Sequence, residues 1–285
     1  MKTKQRTLWL LAAMAAPLAH FSGAGWMTAL LASAAILPLS LLPKSWETSS
    51  KPMALVRILW LGIVAGILLR GSGAYWPSKN ELAVPLTILA LAAVTNSSAA
   101  PRIGAVLALV MGLLAVPVAV SGAAHLEPGW LKPVTGAWPW GLTLTLLLPG
   151  YPAAKAGSVR RTAYMGTVAV LLSALVQGTI SGNVAASVPD PFYQAARTLG
   201  YLEPVAAAAV TLGWYAMAVY HLESAKIIAS ESDMGSIWAT VLATGIGVAM
   251  ILLGVQPETP FWSLFGLFLW VLWPFFTKMK KVEKT

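Results

Sequence analysis

Between Leu8 and Thr277 the chain runs as apolar stretches set almost back to back, each close to the length needed to cross a bilayer. A hydrocarbon core about 30 Å thick takes roughly 20 apolar residues per helix, and little chain is left over for a water-soluble domain. Charged residues make up only 10% of the 285, too few to clothe a soluble surface of that length. The stretches are apolar all round and contain Gly, Pro and small residues, whereas barrel strands would alternate lipid-facing and lumen-facing positions. The expectation is an all-α integral membrane protein, one transmembrane domain over residues 1–285. It would cross the bilayer about ten times.

The spans read as Leu8–His20, Trp26–Leu42, Met53–Tyr75, Leu82–Asn96, Ile103–Ser121, Trp140–Ala154, Arg161–Ile180, Pro204–Leu222, Ile237–Val255 and Phe261–Thr277. Ser22–Gly25, Ser97–Arg102 and Gln256–Pro260 read as tight turns between antiparallel helices. With a cytoplasmic N-terminus, Lys2, Lys4, Arg6, Lys44, Lys51, Arg57, Arg102, Lys155, Arg160, Arg161, Lys226 and the lysines of the C-terminal tail fall inside. Only Arg70, Lys79, Lys132 and Arg197 fall outside, as the positive-inside rule requires, and both termini are cytoplasmic. This placement also argues against nucleic acid, despite the net charge of +9, because a nucleic-acid binder gathers its basic residues on one face or arm. Trp238, with Trp9 and Trp46, falls at inner span ends; Trp26, Trp76, Trp130, Trp138, Trp140 and Trp262 fall at outer ends, where indoles anchor. Met1–Gly25 also has the pattern of a cleavable signal, which would leave the remaining topology unchanged.

Two spans are short and carry proline near the middle: the first around Pro17, and the sixth around Pro149-Gly150-Tyr151-Pro152. Five spans start with each, so the halves, roughly 1–125 and 135–285, would insert with opposite topology as an inverted repeat. Paired interrupted segments in corresponding positions point to a transporter-type binding site. Pro17 lies about ten residues into its span, or roughly 15 Å, near the midplane. Pro149 reaches a similar depth from the other side. The plainer reading is a pair of ordinary proline kinks; it fits Pro17 better than Pro149–Pro152, where two prolines flank a glycine.

Four stretches carry a resemblance. Ala16-Pro17-Leu18 followed by Ser22-Gly23-Ala24-Gly25-Trp26-Met27 is one; His125-Leu126-Glu127-Pro128-Gly129-Trp130-Leu131-Lys132-Pro133-Val134 is the second. Asp190-Pro191-Phe192-Tyr193-Gln194-Ala195-Ala196-Arg197, leading through Leu202-Glu203 to Gly213-Trp214-Tyr215, is the third, and Trp273-Pro274-Phe275-Phe276 with its basic tail the fourth. In this order they resemble the spore germination permeases, the membrane subunit of germinant receptors within the amino acid–polyamine–organocation superfamily. The resemblance implies a 5+5 inverted repeat with interrupted first and sixth helices and a retained first helix. It implies a bacterial cytoplasmic membrane location (the spore inner membrane), a small amino acid-like ligand, and other germinant-receptor subunits as partners beside the lipid bilayer.

Candidate ligand contacts are the breaks and the polar residues inside spans: Ala16, Pro17, Thr145, Pro149, Gly150, Tyr151, Gln177 and Tyr215. Half-helix ends at the breaks would meet a ligand's charged groups. Thr143, Ser173, Ser72 and Tyr75 are further polar candidates, set against the plain reading that a Ser or Thr in a helix bonds its own backbone. Arg70 either snorkels to the outer surface or joins an outer gate. His221 and Glu223, about 26 Å along the eighth span from Pro204, are expected at the cytoplasmic interface in a solvated role. No Asp, Glu or Lys is expected near the midplane. No nucleotide loop, metal-ligand cluster or nucleophile–base set appears, and cysteine is absent, so neither an enzyme nor a bound cofactor is expected. Three functions remain open: a germinant receptor subunit, an amino acid permease of the same fold, and a non-binding membrane scaffold.

Overall fold

The computed structural model describes residues 50–75, 81–95 and 203–255, together with residues 265, 266, 269, 272 and 273. Everything described is helix or short connection. Helix α1 spans Lys51–Arg70 and tightens into a 3-10 turn at Gly71–Tyr75; α2 spans Ala83–Thr95, α3 Glu203–Glu231 and α4 Ser236–Leu253. Each begins close to its expected boundary. Pro52 opens α1 at the helix start, where its missing N–H costs nothing.

Two segments, Lys51–Gly73 and Ser236–Leu253, are long and apolar enough to cross a membrane. They differ in surroundings. Helix α1 is the centre of the cluster: Ala54, Ile58, Trp60, Leu61, Ala65 and Leu69 are all buried, and α2, α3 and α4 pack on it. Helix α4 is peripheral. It buries Ala239, Ala243, Gly247 and Ile251, one per turn, and turns Ile237 (77% exposed), Trp238 (77%), Val241 and Leu253 outward. Small residues inside and bulky apolar ones outside invert the order of a soluble helix and match one whose outer face meets hydrocarbon.

The buried stripe of α4 lies in register along α1. A Cβ added at Gly62 would come 2.5 Å from the Ala243 carbonyl oxygen, and one added at Gly66 would come 2.9 Å from Gly247 Cα and 2.8 Å from Met250 Cβ. One turn further, the Arg70 guanidinium donates to the Ile251 carbonyl. Contacts advance by four residues on both helices, so α1 and α4 run parallel, with Gly62-x-x-x-Gly66 lying against Ala243-x-x-x-Gly247. Only residues without a branch at the contact let two backbones approach this closely. The last stretch runs the other way: a Cβ at Gly266 would strike Trp60, and Arg57 donates to the Leu269 carbonyl.

The eighth span departs from its expected end. Helix α3 continues past Leu222 to Glu231, and the connection to α4 is correspondingly short. Ser224, Ala225, Lys226, Ile227, Ile228 and Ala229 include good helix formers, and Glu223 pairs with Lys226 at 3.1 Å one turn on. Charge ends a hydropathic stretch; it does not end a helix.

Gly66→Leu is expected to destabilise the purified protein by about 2–4 kcal/mol, because the added side chain must force two backbones apart. Gly245→Ala is the contrast, since nothing lies within 4 Å of a Cβ there. It should leave stability unchanged or raise it by up to about 1 kcal/mol through helix propensity. Unfolding in mixed detergent micelles, followed by tryptophan emission, measures both.

Candidate functional site

Of the eight expected ligand contacts, Tyr215 is described; Ala16, Pro17, Thr145, Pro149, Gly150, Tyr151 and Gln177 lie outside the described residues. Tyr215 is half-buried on α3, and its hydroxyl meets the Thr95 hydroxyl at the end of α2. Thr95 Oγ1 in turn donates to the Leu91 carbonyl at 2.7 Å. Threonine has one hydroxyl hydrogen, and a carbonyl can only accept, so Tyr215 is the donor to Thr95. The hydrogen of Tyr215 is thereby committed to a bond between α2 and α3, while its oxygen keeps acceptor capacity. Gly213 and Trp214, its neighbours in the third resemblance stretch, are buried.

Four other hydroxyls follow the plainer expectation, whereas the buried Thr244 hydroxyl has no partner among the described residues. Ser72 donates to Leu69, Thr211 to Ala207, Ser230 to Ile227 and Thr240 to Ser236, each within its own helix. In a dry interior this spends a polar group on a carbonyl already at hand. Ser72 therefore points to its own backbone rather than to a shared site.

The charged residues are where the structure adds most. Arg70, half-buried, caps α4. It donates to the Ile251 carbonyl in the last turn, which also accepts the Gly254 N–H. It also lies against Gly254, whose φ of 67° closes the helix in the left-handed conformation. A cation at a helix C-terminus also complements the macrodipole. Arg57, expected among the inner-side charges, is buried inside α1 at 2% exposure, and its Nη2 donates to Leu269 at 3.0 Å. Residues 269 and 272 are π-helical, a winding that shifts the regular i→i−4 pattern and frees carbonyls for outside donors. Glu231, at the end of α3, supplies a negative charge that acts on Arg57.

His221 corrects the sequence reading most directly. The expectation was a solvated imidazole at the cytoplasmic interface; the residue is wholly buried, 0% exposed. Its ring lies edge-on to Tyr220, with centroids 5.6 Å apart. The depth was misjudged because α3 was ended too early. Measured from Glu231, where the helix stops, His221 is ten residues in, or roughly 15 Å. Glu223 keeps partial exposure and is tied to Lys226, closer to its expected role. Among the described residues no group of His, Cys, Asp and Glu could hold a metal ion.

No family model matches the chain, and no match is found among the curated proteins.

The Tyr215–Thr95 bond can be measured. Tyr215→Phe should cost about 0.5–1.5 kcal/mol, and the double variant with Thr95→Val should cost clearly less than the two single losses combined. Unfolding free energies of the four proteins give the coupling; a sum of independent losses would mean that the bond does not form.

Proposed function

We propose that the chain is a polytopic membrane protein of about ten helices, arranged as two inverted halves, that binds a small amino acid-like ligand between its interrupted first and sixth helices. On this reading it serves as a transporter-like receptor subunit of the spore-germination type, in a bacterial cytoplasmic membrane with both termini inside. The observation that carries the membrane half of the reading is the inside-out α4, small residues on α1 and bulky apolar residues outward. Helix directions add support. The third and ninth spans run parallel and the tenth runs against the third, as odd and even crossings of an alternating chain must. The exposed Trp238 at the start of α4 suits an inner-interface anchor. The receptor half of the reading rests on the family resemblance and the paired breaks.

The amino acid permease reading gains from one specific feature, the buried ionisable ring of His221. Ionisable residues held inside a membrane bundle are costly and mark ion and proton pathways. A scaffold with no ligand has no use for such a group.

Topology and binding are tested separately. The native chain has no cysteine, so single cysteines report cleanly. Asp233→Cys, exposed in the α3–α4 connection, should label only from the cytoplasmic side, and Glu81→Cys, exposed before α2, only from outside. The opposite pattern inverts the topology; labelling of both from one side removes it. For the ligand, calorimetry over a panel of amino acids, nucleosides and sugars should find one class that the parent binds. Gly150→Val, which fills a glycine between two prolines, should lower that affinity at least about tenfold while leaving insertion intact. Equal binding by the variant moves the pocket elsewhere.

A further inference from the structure

We propose that His221 is a proton-binding site of the helix core, taking up H+ from the aqueous phase at Nε2. This deepens the permease reading and depends on the membrane-embedded fold only for its depth. The tautomer is fixed by geometry. Nδ1 lies 2.9 Å from the Met217 carbonyl on the preceding turn. A carbonyl can only accept, so Nδ1 carries the hydrogen, and in the neutral ring Nε2 is a bare acceptor. That atom is buried and has no hydrogen-bond partner. A buried acceptor left empty is costly and calls for an explanation. Any ligand of atomic size would have to displace the neighbours that shut the atom from solvent. A proton adds no such volume, and a bare imidazole nitrogen is a proton acceptor.

Proton uptake converts the ring to imidazolium, with one positive charge added and no electron transferred. Nδ1 keeps its bond to Met217, and Nε2 becomes a donor with nothing to receive it in the present packing. The protonated ring is therefore better served by a rearranged bundle that offers water or an acceptor at Nε2. Proton binding and rearrangement are then linked, each favouring the other. Among the described residues the ionisable groups on α3 and the helices packed against it are few. Helices α2 and α4, both packed on α3, contain none along their lengths. Helix α1 contributes Lys51, the buried Arg57 and the Arg70 cap, and α3 itself contributes Glu203, Tyr215, Tyr220, Glu223, Lys226 and Glu231.

The test uses the full chain, labelled with 15N-histidine and reconstituted in lipid nanodiscs without any organic ligand. The chain has three histidines, His20, His125 and His221, so assignment is simple. At neutral pH the His221 signal should report a protonated Nδ1 and a bare Nε2. On acidification of the folded protein it should convert to the doubly protonated ring, and tryptophan emission should change over the same pH range. His221→Asn keeps an amide donor for Met217 and replaces the basic nitrogen by an amide oxygen that does not titrate; it should take up about one proton fewer per chain and lose the emission change. If that variant fails to fold, His20→Asn and His125→Asn assign the wild-type signal by elimination. A His221 ring that stays neutral throughout the range in which the protein remains folded overturns the proposal, as does an emission change that persists in His221→Asn. Because no amino acid is present, failure here is separate from failure of the ligand-binding reading.

Discussion

The contact between α1 and α4 is made by backbone, and the rest of the described cluster is arranged around it. Gly62 and Gly66 lie against Ala243 and Gly247, with no side chain between the two main chains. Inside a bilayer, burying apolar side chains against one another gains little, because lipid tails are equally apolar. Close approach of two backbones gains dispersion contacts that lipid cannot fill as well, and it fixes direction and register together. Once α4 is fixed in this way, its remaining face can only look outward. That explains why its bulky residues are exposed and why its buried ones are small. Leu89 of α2 also lies beside Gly247, so the same glycine that admits α1 admits a third helix.

Two arginines of α1 also bond main-chain carbonyls of neighbouring segments. Arg70 closes the last turn of α4 and packs on the left-handed Gly254. Arg57 takes a carbonyl from the π-helical stretch of the final segment. Each guanidinium lies on α1 and bonds a main-chain oxygen of a different segment. The hydroxyls of Ser72, Thr211, Ser230 and Thr240 act more locally, each within its own helix. Tyr215 is the exception. Its bond to Thr95 joins two helices through side chains alone, which can exchange partners without moving the main chain.

Hydropathy located α1, α2 and α4 within a few residues because each is a single apolar run bounded by charge or glycine. It failed at the end of α3, where Glu223 and Lys226 interrupt the apolar run but satisfy each other on the helix surface. That one boundary error carried His221 to the interface on paper, and burial follows once the helix is allowed to run to Glu231. The glycine seam was present in the sequence as Gly62-x-x-x-Gly66 and Ala239-x-x-x-Ala243-x-x-x-Gly247, a spacing of one residue per turn. Reading it requires pairing two segments far apart in the chain, which periodicity within one segment does not reveal. Arg57 was assigned by its nearness to a loop, a rule that counts charges and not their partners. For the candidate ligand site, the sequence pointed to the breaks near Pro17 and Pro149–Pro152, and Tyr215 is its described member.

The two kinds of contact imply a division of labour within the described helices. Backbone seams such as that of α1 and α4 have one good register, because a glycine has no alternative rotamer with which to accommodate a shift. Contacts made by side chains can settle in more than one arrangement, and packed cores change between discrete arrangements rather than bending continuously. Helix α3 meets α2 by the second kind of contact, the Tyr215–Thr95 bond. It also contains the one buried imidazole described, with one nitrogen bonded and one bare. A helix that is held by side chains and carries an incompletely satisfied polar group can move at lower cost than one held by its backbone. The α1–α4 seam is thus fixed in register by its glycines, whereas the Tyr215–Thr95 bond between α2 and α3 can exchange partners.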